Sequence, residues 1–173
     1  MSTITDYYKY SELALASYSD LAAGMVQQDY IDALMNDGDG MSQKQAETFA
    51  PNWTVLDQYD GMVEETYYDE FGDEQTFLNP TGLSVTLFED GSGKQVVAIR
   101  GTEPTDLDDI VTDIIDIGVL GTSEHQAQYA ALSAQIQKWK DDGTLRTNFS
   151  VTGHSLGGFL ATNLAREDCG ILK

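Results

Sequence analysis

A serine framed by glycines lies near the carboxyl end of the sequence, in the run Gly153-His154-Ser155-Leu156-Gly157-Gly158. A serine hydroxyl attacks a carbonyl efficiently only when a base takes its proton and donors hold the developing oxyanion. Glycines two residues before and two residues after the serine suit a sharp turn from strand to helix that exposes the hydroxyl. The pattern therefore predicts that Ser155 is the nucleophile of an acyl-transfer reaction.

The residues that flank the serine have distinct expected roles. Leu156 would open the following helix, and its amide would point at the oxyanion from a helix N-terminus, where the dipole favours negative charge. Gly153, Gly157 and Gly158 would leave room for the tight turn and for the close approach of the helix. His154 is expected to leave the turn in another direction and to pack or hydrogen-bond beneath it.

A second part of the site is predicted at Arg100-Gly101-Thr102, which follows the apolar run 96–99. A strand that ends in a glycine turn would put the amide and hydroxyl of Thr102 at the carboxyl rim of the sheet, where α/β proteins bind their ligands. An oxyanion hole needs a donor besides Leu156, usually from a loop after an earlier strand. Thr102 is therefore the predicted second donor, with Arg100 and Gly101 as structural residues beside it.

Apolar periodicity indicates the strands that must position these groups. An alternation with period two predicts strands over 53–59, 83–88 and 95–100, and a short strand over 148–152 directly before the serine turn. A turn at 90–93 would pair the second strand with the third, and the acidic segment 64–74 would form a hairpin around Gly72.

Helical periodicity predicts the elements between and around these strands. Helices are expected over 10–26, over 43–49 with Ser42 as the N-cap, over 123–140 and over 156–166, with a further apolar stripe over 107–115. The order strand, crossover helix, strand, helix predicts an α/β class, with a mostly parallel sheet covered by helices on both faces.

The two glycine motifs together carry a resemblance to the class 3 lipase family, the fungal-type triacylglycerol lipases and their bacterial relatives. Between them, the run Asp109-Ile110-Val111-Thr112-Asp113 resembles the acidic or amide residue, tryptophan, two spacers and aspartate of the family, with Ile110 in place of the tryptophan. The likeness is specific from about residue 80 to 166 and loose before that. It implies an α/β-hydrolase fold and a lipase, esterase or phospholipase A that acts through an acyl-enzyme on Ser155, with Asp113 structural at the site.

The triad partners of Ser155 are a separate question. In this family the acid and the base follow the serine, in the order Ser, Asp, His. The residues after Ser155 include Glu167 and Asp168 but no histidine, and the two histidines of the sequence are His125 and His154. The resemblance therefore implies a catalytic aspartate and histidine beyond residue 173.

The same reasoning gives an expected domain organisation. Residues 1–173 would be the N-terminal part of a single α/β-hydrolase domain, with a helical lead-in over 1–50 and the sheet, oxyanion strand and serine turn over 51–173. The apolar pair Ile171-Leu172 resembles the start of a further strand. An unpaired apolar sheet edge promotes association, so the chain alone is expected to be inactive and prone to self-association.

Composition limits the partners. The sequence has 29 Asp and Glu against 9 Lys and Arg, a formal net charge of −20. Such a field repels phosphate backbones and anionic membrane surfaces, so an ester or lipid substrate is expected and nucleic-acid binding is not. No apolar run approaches the roughly 20 residues that span a bilayer. Cys169 is the only cysteine, which excludes an internal disulfide and indicates a small core residue.

The resemblance also bears on cofactors and compartment. It implies no catalytic cofactor, and calcium only as a structural ion held by regions outside this chain, since some bacterial members carry calcium-binding repeats downstream. The first six residues lack the basic and apolar regions of a signal peptide. Secretion without a cleaved signal is therefore expected, with a cytoplasmic location as the alternative.

The alternative functions are a polyester or peptide hydrolase with the same parts and an inactive hydrolase-like module that binds acyl ligands or a partner.

Overall fold

The computed structural model describes residues 3–35, 40–68, 74–101 and 123–168. These residues form five helices and four strands. In chain order they are α1 (Ile4–Ala16), α2 (Gln27–Met35), α3 (Gln43–Phe49), β1 (Trp53–Tyr68), β2 (Glu74–Asp90), β3 (Gln95–Ile99), α4 (Ser123–Asp141), β4 (Phe149–Gly153) and α5 (Leu156–Asp168).

The strands form one mixed sheet in the order β1-β2-β3-β4. β1 pairs antiparallel with β2 and β2 antiparallel with β3, whereas β3 and β4 are parallel, with Val97 opposite both Leu87 and Val151. The α/β class is confirmed, but the part of the sheet that the structure describes is mostly antiparallel, not mostly parallel as predicted. The reason is connection length, because only the link from β3 to β4 contains the helix that a parallel crossover requires.

Helices cover both faces of the sheet. Alternate residues of β3 point to opposite faces, so Val96 and Ala98 pack under α1, α2 and α3, while Val97 and Ile99 pack under α4 and α5. All five residues of β3 are buried, as expected for a strand covered on both faces. The largest fully buried side chains include Trp139 on the α4 side and Phe88 on the α1 side. β3 therefore lies in a middle layer, between two layers of helices.

The strands on either side of both predicted turns are paired, although β1 and β2 extend well beyond the predicted 53–59 and 83–88. Asp90 and Lys94 close the β2–β3 turn through a backbone hydrogen bond of 3.0 Å, and the Asp90 carboxylate accepts from the Ser92 amide at 2.9 Å. β1 and β2 pair out to Tyr68 and Glu74, on either side of the turn predicted at Gly72. Gly72 itself lies outside the described residues.

The N-terminal helix differs from the prediction. α1 begins at Ile4, where the side chain of Thr3 accepts from the Asp6 amide and the Asp6 carboxylate accepts from the Thr3 amide in a capping box. It ends at Ala16, not near residue 26, and the buried hydroxyl of Ser17 donates to the Ala14 carbonyl at 2.8 Å. A separate helix, α2, then follows and was not predicted. Gly24, with a φ of +76°, breaks the helical path between them.

The remaining helix predictions are confirmed to within two residues. α3 matches its predicted bounds with Ser42 as the N-cap, α4 is one residue longer than predicted, and α5 is two residues longer. The stripe over 107–115, Cys169 and the apolar pair at 171–172 lie outside the described residues. Across the described ranges, every helix is too short or too polar to cross a membrane.

Candidate active site

The serine turn lies between the end of β4 and the start of α5, so the predicted strand and helix around Ser155 are confirmed. Ser155 has a φ of +53° and is the one non-glycine residue with a positive φ in the described part of the chain. A residue held in this region costs about 1–3 kcal/mol and persists only where its surroundings enforce it. A strained, exposed serine between strand and helix is the geometry of a nucleophile elbow.

The glycines of the motif allow the backbone to pack closely. A Cβ on Gly153 would collide with the Gly157 carbonyl group and would lie 2.9 Å from the Gly158 amide nitrogen. A Cβ on Gly157 would collide with the Ile99 carbonyl oxygen and would lie 3.0 Å from the Arg100 carbonyl carbon. Since backbone atoms cannot rotate away as a flexible side chain can, glycine is required at both positions. The first turn of α5 is therefore packed directly on the end of β3.

The structure brings the two predicted motifs together at Gly101. A Cβ on this buried residue would lie 2.5 Å from the His154 carbonyl oxygen and 3.1 Å from the Cβ of Ser155. The preceding residue, Arg100, is half-buried and donates its amide to the Ser84 carbonyl at 3.0 Å. The strand end that leads to Thr102 is therefore packed against the serine turn. Thr102 and Asp113 themselves lie outside the described residues.

Leu156 opens α5, as predicted. The amides of a first helical turn have no acceptor within the helix, and the helix dipole makes them suitable donors to an anion. The Leu156 side chain is buried, and the Ser155 carbonyl accepts from the amides of Gly158 at 3.0 Å and Phe159 at 3.3 Å. These contacts join the first turn of α5 to the backbone of Ser155.

His154 was predicted to pack or hydrogen-bond beneath the turn. It is hydrogen-bonded, but it is not buried there. Its ring is exposed, and its Nδ1 lies 3.2 Å from the hydroxyl of Tyr18. The two rings meet edge to face, with centroids 6.3 Å apart. The same hydroxyl accepts from the Gly101 amide at 3.2 Å. Sequence reasoning missed Tyr18, because it lies 136 positions before His154 and outside both glycine motifs.

Three further observations bear on the chemistry available at Ser155. Ser155 is exposed, and no side chain in the described ranges hydrogen-bonds its hydroxyl. His125 lies in the first turn of α4, and its side chain is outside the described part. Within the described residues, no group of three or more His, Cys, Asp and Glu side chains could hold a metal ion.

The arrangement combines an exposed hydroxyl on a strained turn, amides at a helix start and a glycine-packed strand end beside them. Chemically, these parts can present a nucleophile and stabilise negative charge next to it. Comparisons of the chain with protein-family models, with curated proteins and with solved structures find no significant match. A functional assignment therefore depends on the residues and the geometry around Ser155.

Proposed function

We propose that this chain carries the nucleophile of a serine carboxylic-ester hydrolase of lipase, esterase or phospholipase A type. The observation that carries the proposal is the positive φ of Ser155 between β4 and α5, enforced by Gly153 and Gly157. A structural turn has no need of a strained serine, because glycine would adopt the same φ at lower cost. Strain retained at an exposed hydroxyl supports a chemical role for that hydroxyl.

The proposed reaction is acyl transfer in two steps. The Ser155 Oγ attacks the ester carbonyl carbon while a histidine takes the hydroxyl proton, and the amides of Leu156 and Thr102 hold the oxyanion. The tetrahedral intermediate collapses, the C–O bond to the alcohol breaks, and the histidine returns the proton to the leaving alcohol. Water then attacks the acyl-enzyme by the same route and releases the carboxylic acid and the free serine.

The proposed fold is an α/β-hydrolase fold. Its support is the unit β3–α4–β4–α5, in which two parallel strands are joined through a helix and the serine follows the second strand. The carboxyl ends of parallel strands are where such sheets bind their ligands. Residues of both motifs, Gly101 and Ser155, meet at that edge. The net charge of −20 favours uncharged ester groups over anionic surfaces as the substrate.

The test is labelling by a fluorophosphonate in the protein as its cell produces it. We expect a single modification at Ser155, mapped by peptide mass spectrometry, and hydrolysis of a short p-nitrophenyl ester. Ser155→Ala should lose both. Ser92→Ala, which removes an exposed serine from the β2–β3 turn, should keep both. Labelling that survives in Ser155→Ala, or a wild-type protein that neither reacts nor turns over, would overturn the proposal.

A second candidate is the hydrolase-like module that binds an acyl ligand or a partner without catalysis. The observation that favours it is the pairing of the His154 imidazole with Tyr18, together with a Ser155 hydroxyl that has no hydrogen bond from the described side chains. The fluorophosphonate experiment separates the two candidates. Unreactive wild-type protein that still binds a fatty acid, in a manner abolished by a bulky residue at Ser155, would favour the binding module.

A further inference from the structure

The hydroxyl of Tyr18 contacts both motifs of the candidate site. It accepts a hydrogen bond from the Gly101 amide at 3.2 Å and lies 3.2 Å from Nδ1 of His154. Gly101 belongs to the strand end before Thr102, and His154 directly precedes the proposed nucleophile. One side-chain oxygen therefore connects the two backbone segments from which nucleophile and oxyanion donors are proposed to come.

The segment that carries Tyr18 is anchored on the sheet. The side chain of Gln58 on β1 accepts from the Leu21 amide at 2.7 Å and donates to the Ser19 carbonyl at 2.9 Å. Its amide group also donates to the Thr86 hydroxyl on β2 at 2.8 Å. These bonds tether the backbone just after Tyr18 to the sheet.

Close packing leaves little freedom at the bridge. A Cβ on Gly101 would lie 2.9 Å from the Tyr18 hydroxyl oxygen, 2.5 Å from the His154 carbonyl oxygen and 3.1 Å from the Ser155 Cβ. The Gly101 peptide is thus confined between the tyrosine and the serine turn. Donors that are fixed before the reaction stabilise an oxyanion better than donors that must reorganise.

From these contacts we propose that Tyr18 is a positioning residue of the active site. Its hydroxyl accepts from the Gly101 amide and donates to Nδ1 of His154, and it thereby holds the strand end before Thr102 in register with Ser155. A hydrogen bond accepted at Nδ1 leaves the ring proton of His154 on Nε2. The catalytic consequence rests on the proposed function, whereas the hydrogen-bonded bridge does not.

The test compares Tyr18→Phe with Tyr10→Phe. Tyr10 lies eight residues earlier, on α1. Its hydroxyl donates to Ser150 at 3.1 Å and accepts from Lys94 at 2.8 Å, so the control also loses hydrogen bonds, but away from the serine turn. For Tyr18→Phe we expect kcat for a p-nitrophenyl ester to fall about tenfold with KM unchanged, as when preorganised donors are loosened. Tyr10→Phe should leave kcat unchanged.

The second readout is independent of activity. Nitrogen NMR shifts of the His154 imidazole report which ring nitrogen carries the proton, and Tyr18→Phe should shift the population away from the Nε2–H form while Tyr10→Phe leaves it unchanged. Unaltered His154 shifts in Tyr18→Phe would overturn the bridge. A kcat loss equal in both variants would reduce Tyr18 to a general structural role. Absence of turnover in the wild type would instead overturn the proposed function, and the NMR result would still decide whether the bridge exists.

Discussion

The two ends of the parallel pair β3–β4 are built differently. At the amino end, the buried side chain of Gln95 donates to the Thr144 carbonyl at 2.9 Å and to Glu89 at 3.1 Å, and it accepts from the Arg146 amide at 2.7 Å. Arg146 also forms an ion pair with Glu89 at 2.9 Å. Both halves of the Gln95 amide are satisfied, and the positive φ values of the local backbone fall on glycines, Gly93 and Gly143.

At the carboxyl end of the same two strands, the backbone is strained and closely packed. Ser155 holds a positive φ, and Gly101, Gly153 and Gly157 each lie where a Cβ would collide with neighbouring atoms. His154 and Ser155 are both exposed. One end therefore stabilises the sheet with satisfied polar groups, and the other keeps an unfavourable conformation. This difference is what the proposed function requires, since reactive groups must be held where stability alone would not place them.

The largest effect is expected from Gly157→Ala. The added Cβ meets backbone atoms of Ile99 and Arg100, and backbone cannot yield as a side chain can. We expect the free energy of unfolding to fall by about 3 kcal/mol, measured by urea denaturation, with loss of esterase activity. Gly91→Ala in the β2–β3 turn is the control, because nothing lies within 4 Å of a Cβ there and its φ is not positive. Equal stability of the two variants would show that the carboxyl end is not tightly packed.

The next effect is catalytic. Thr102→Val keeps the side-chain shape and the backbone amide but removes the hydroxyl, and we expect kcat to fall roughly tenfold to a thousandfold with little change in KM. Thr144→Val makes the same change at the amino end, where the hydroxyl contacts Asp142, and should leave kcat unchanged. A change confined to KM would mean that Thr102 only contacts substrate. No change would limit its role to the backbone amide.

Substitutions at the amino end should lower the free energy of unfolding without changing kcat. Gln95→Leu removes the acceptor of the Arg146 amide and the donor to the Thr144 carbonyl, so we expect a loss of about 2 kcal/mol in the free energy of unfolding. The kcat of the remaining folded protein should be unchanged. Gln137→Leu, which removes an exposed hydrogen bond to Asp141 on α4, should cost less than about 0.5 kcal/mol. A fall in kcat for Gln95→Leu would show that the two ends are coupled.

Local patterns were sufficient to predict the serine turn at the carboxyl end of β4. The spacing of Gly153, Ser155 and Gly157 between an apolar strand and a helix indicated the turn, because such close backbone packing leaves few alternatives to glycine. The same holds for the β2–β3 turn, where Asp90 and Gly93 are typical turn residues. In both cases the determinant lies within a few residues of the structure it specifies.

The features that were missed depend on contacts distant in sequence. The apolar residues Leu21 and Met25 fit the helical stripe that begins in α1, yet the Leu21 amide is taken by Gln58 and the chain leaves the helix after Ala16. Tyr18 contacts His154 across 136 positions of sequence, so no local spacing of residues could predict this contact. The mixed sheet was likewise determined by pairing between strands, which the period of each strand does not encode.

The smallest predicted effect is a stability difference between glycine and alanine at position 155, and its sign is opposite to that at ordinary helical positions. At ordinary helical positions glycine is less stable than alanine by about 1 kcal/mol, and Ala130→Gly on the exposed side of α4 should show this loss. At Ser155, where φ is +53°, alanine keeps the strain and glycine releases it. We therefore expect Ser155→Gly to be more stable than Ser155→Ala by about 1 kcal/mol in urea denaturation, although both lack the hydroxyl and should be equally inactive. Because the unfolded-state entropy of glycine opposes this result, the inverted sign can come only from strain in the folded turn. If alanine were the more stable residue at position 155, the serine would not be strained and the contrast between the two ends of the strand pair would fail.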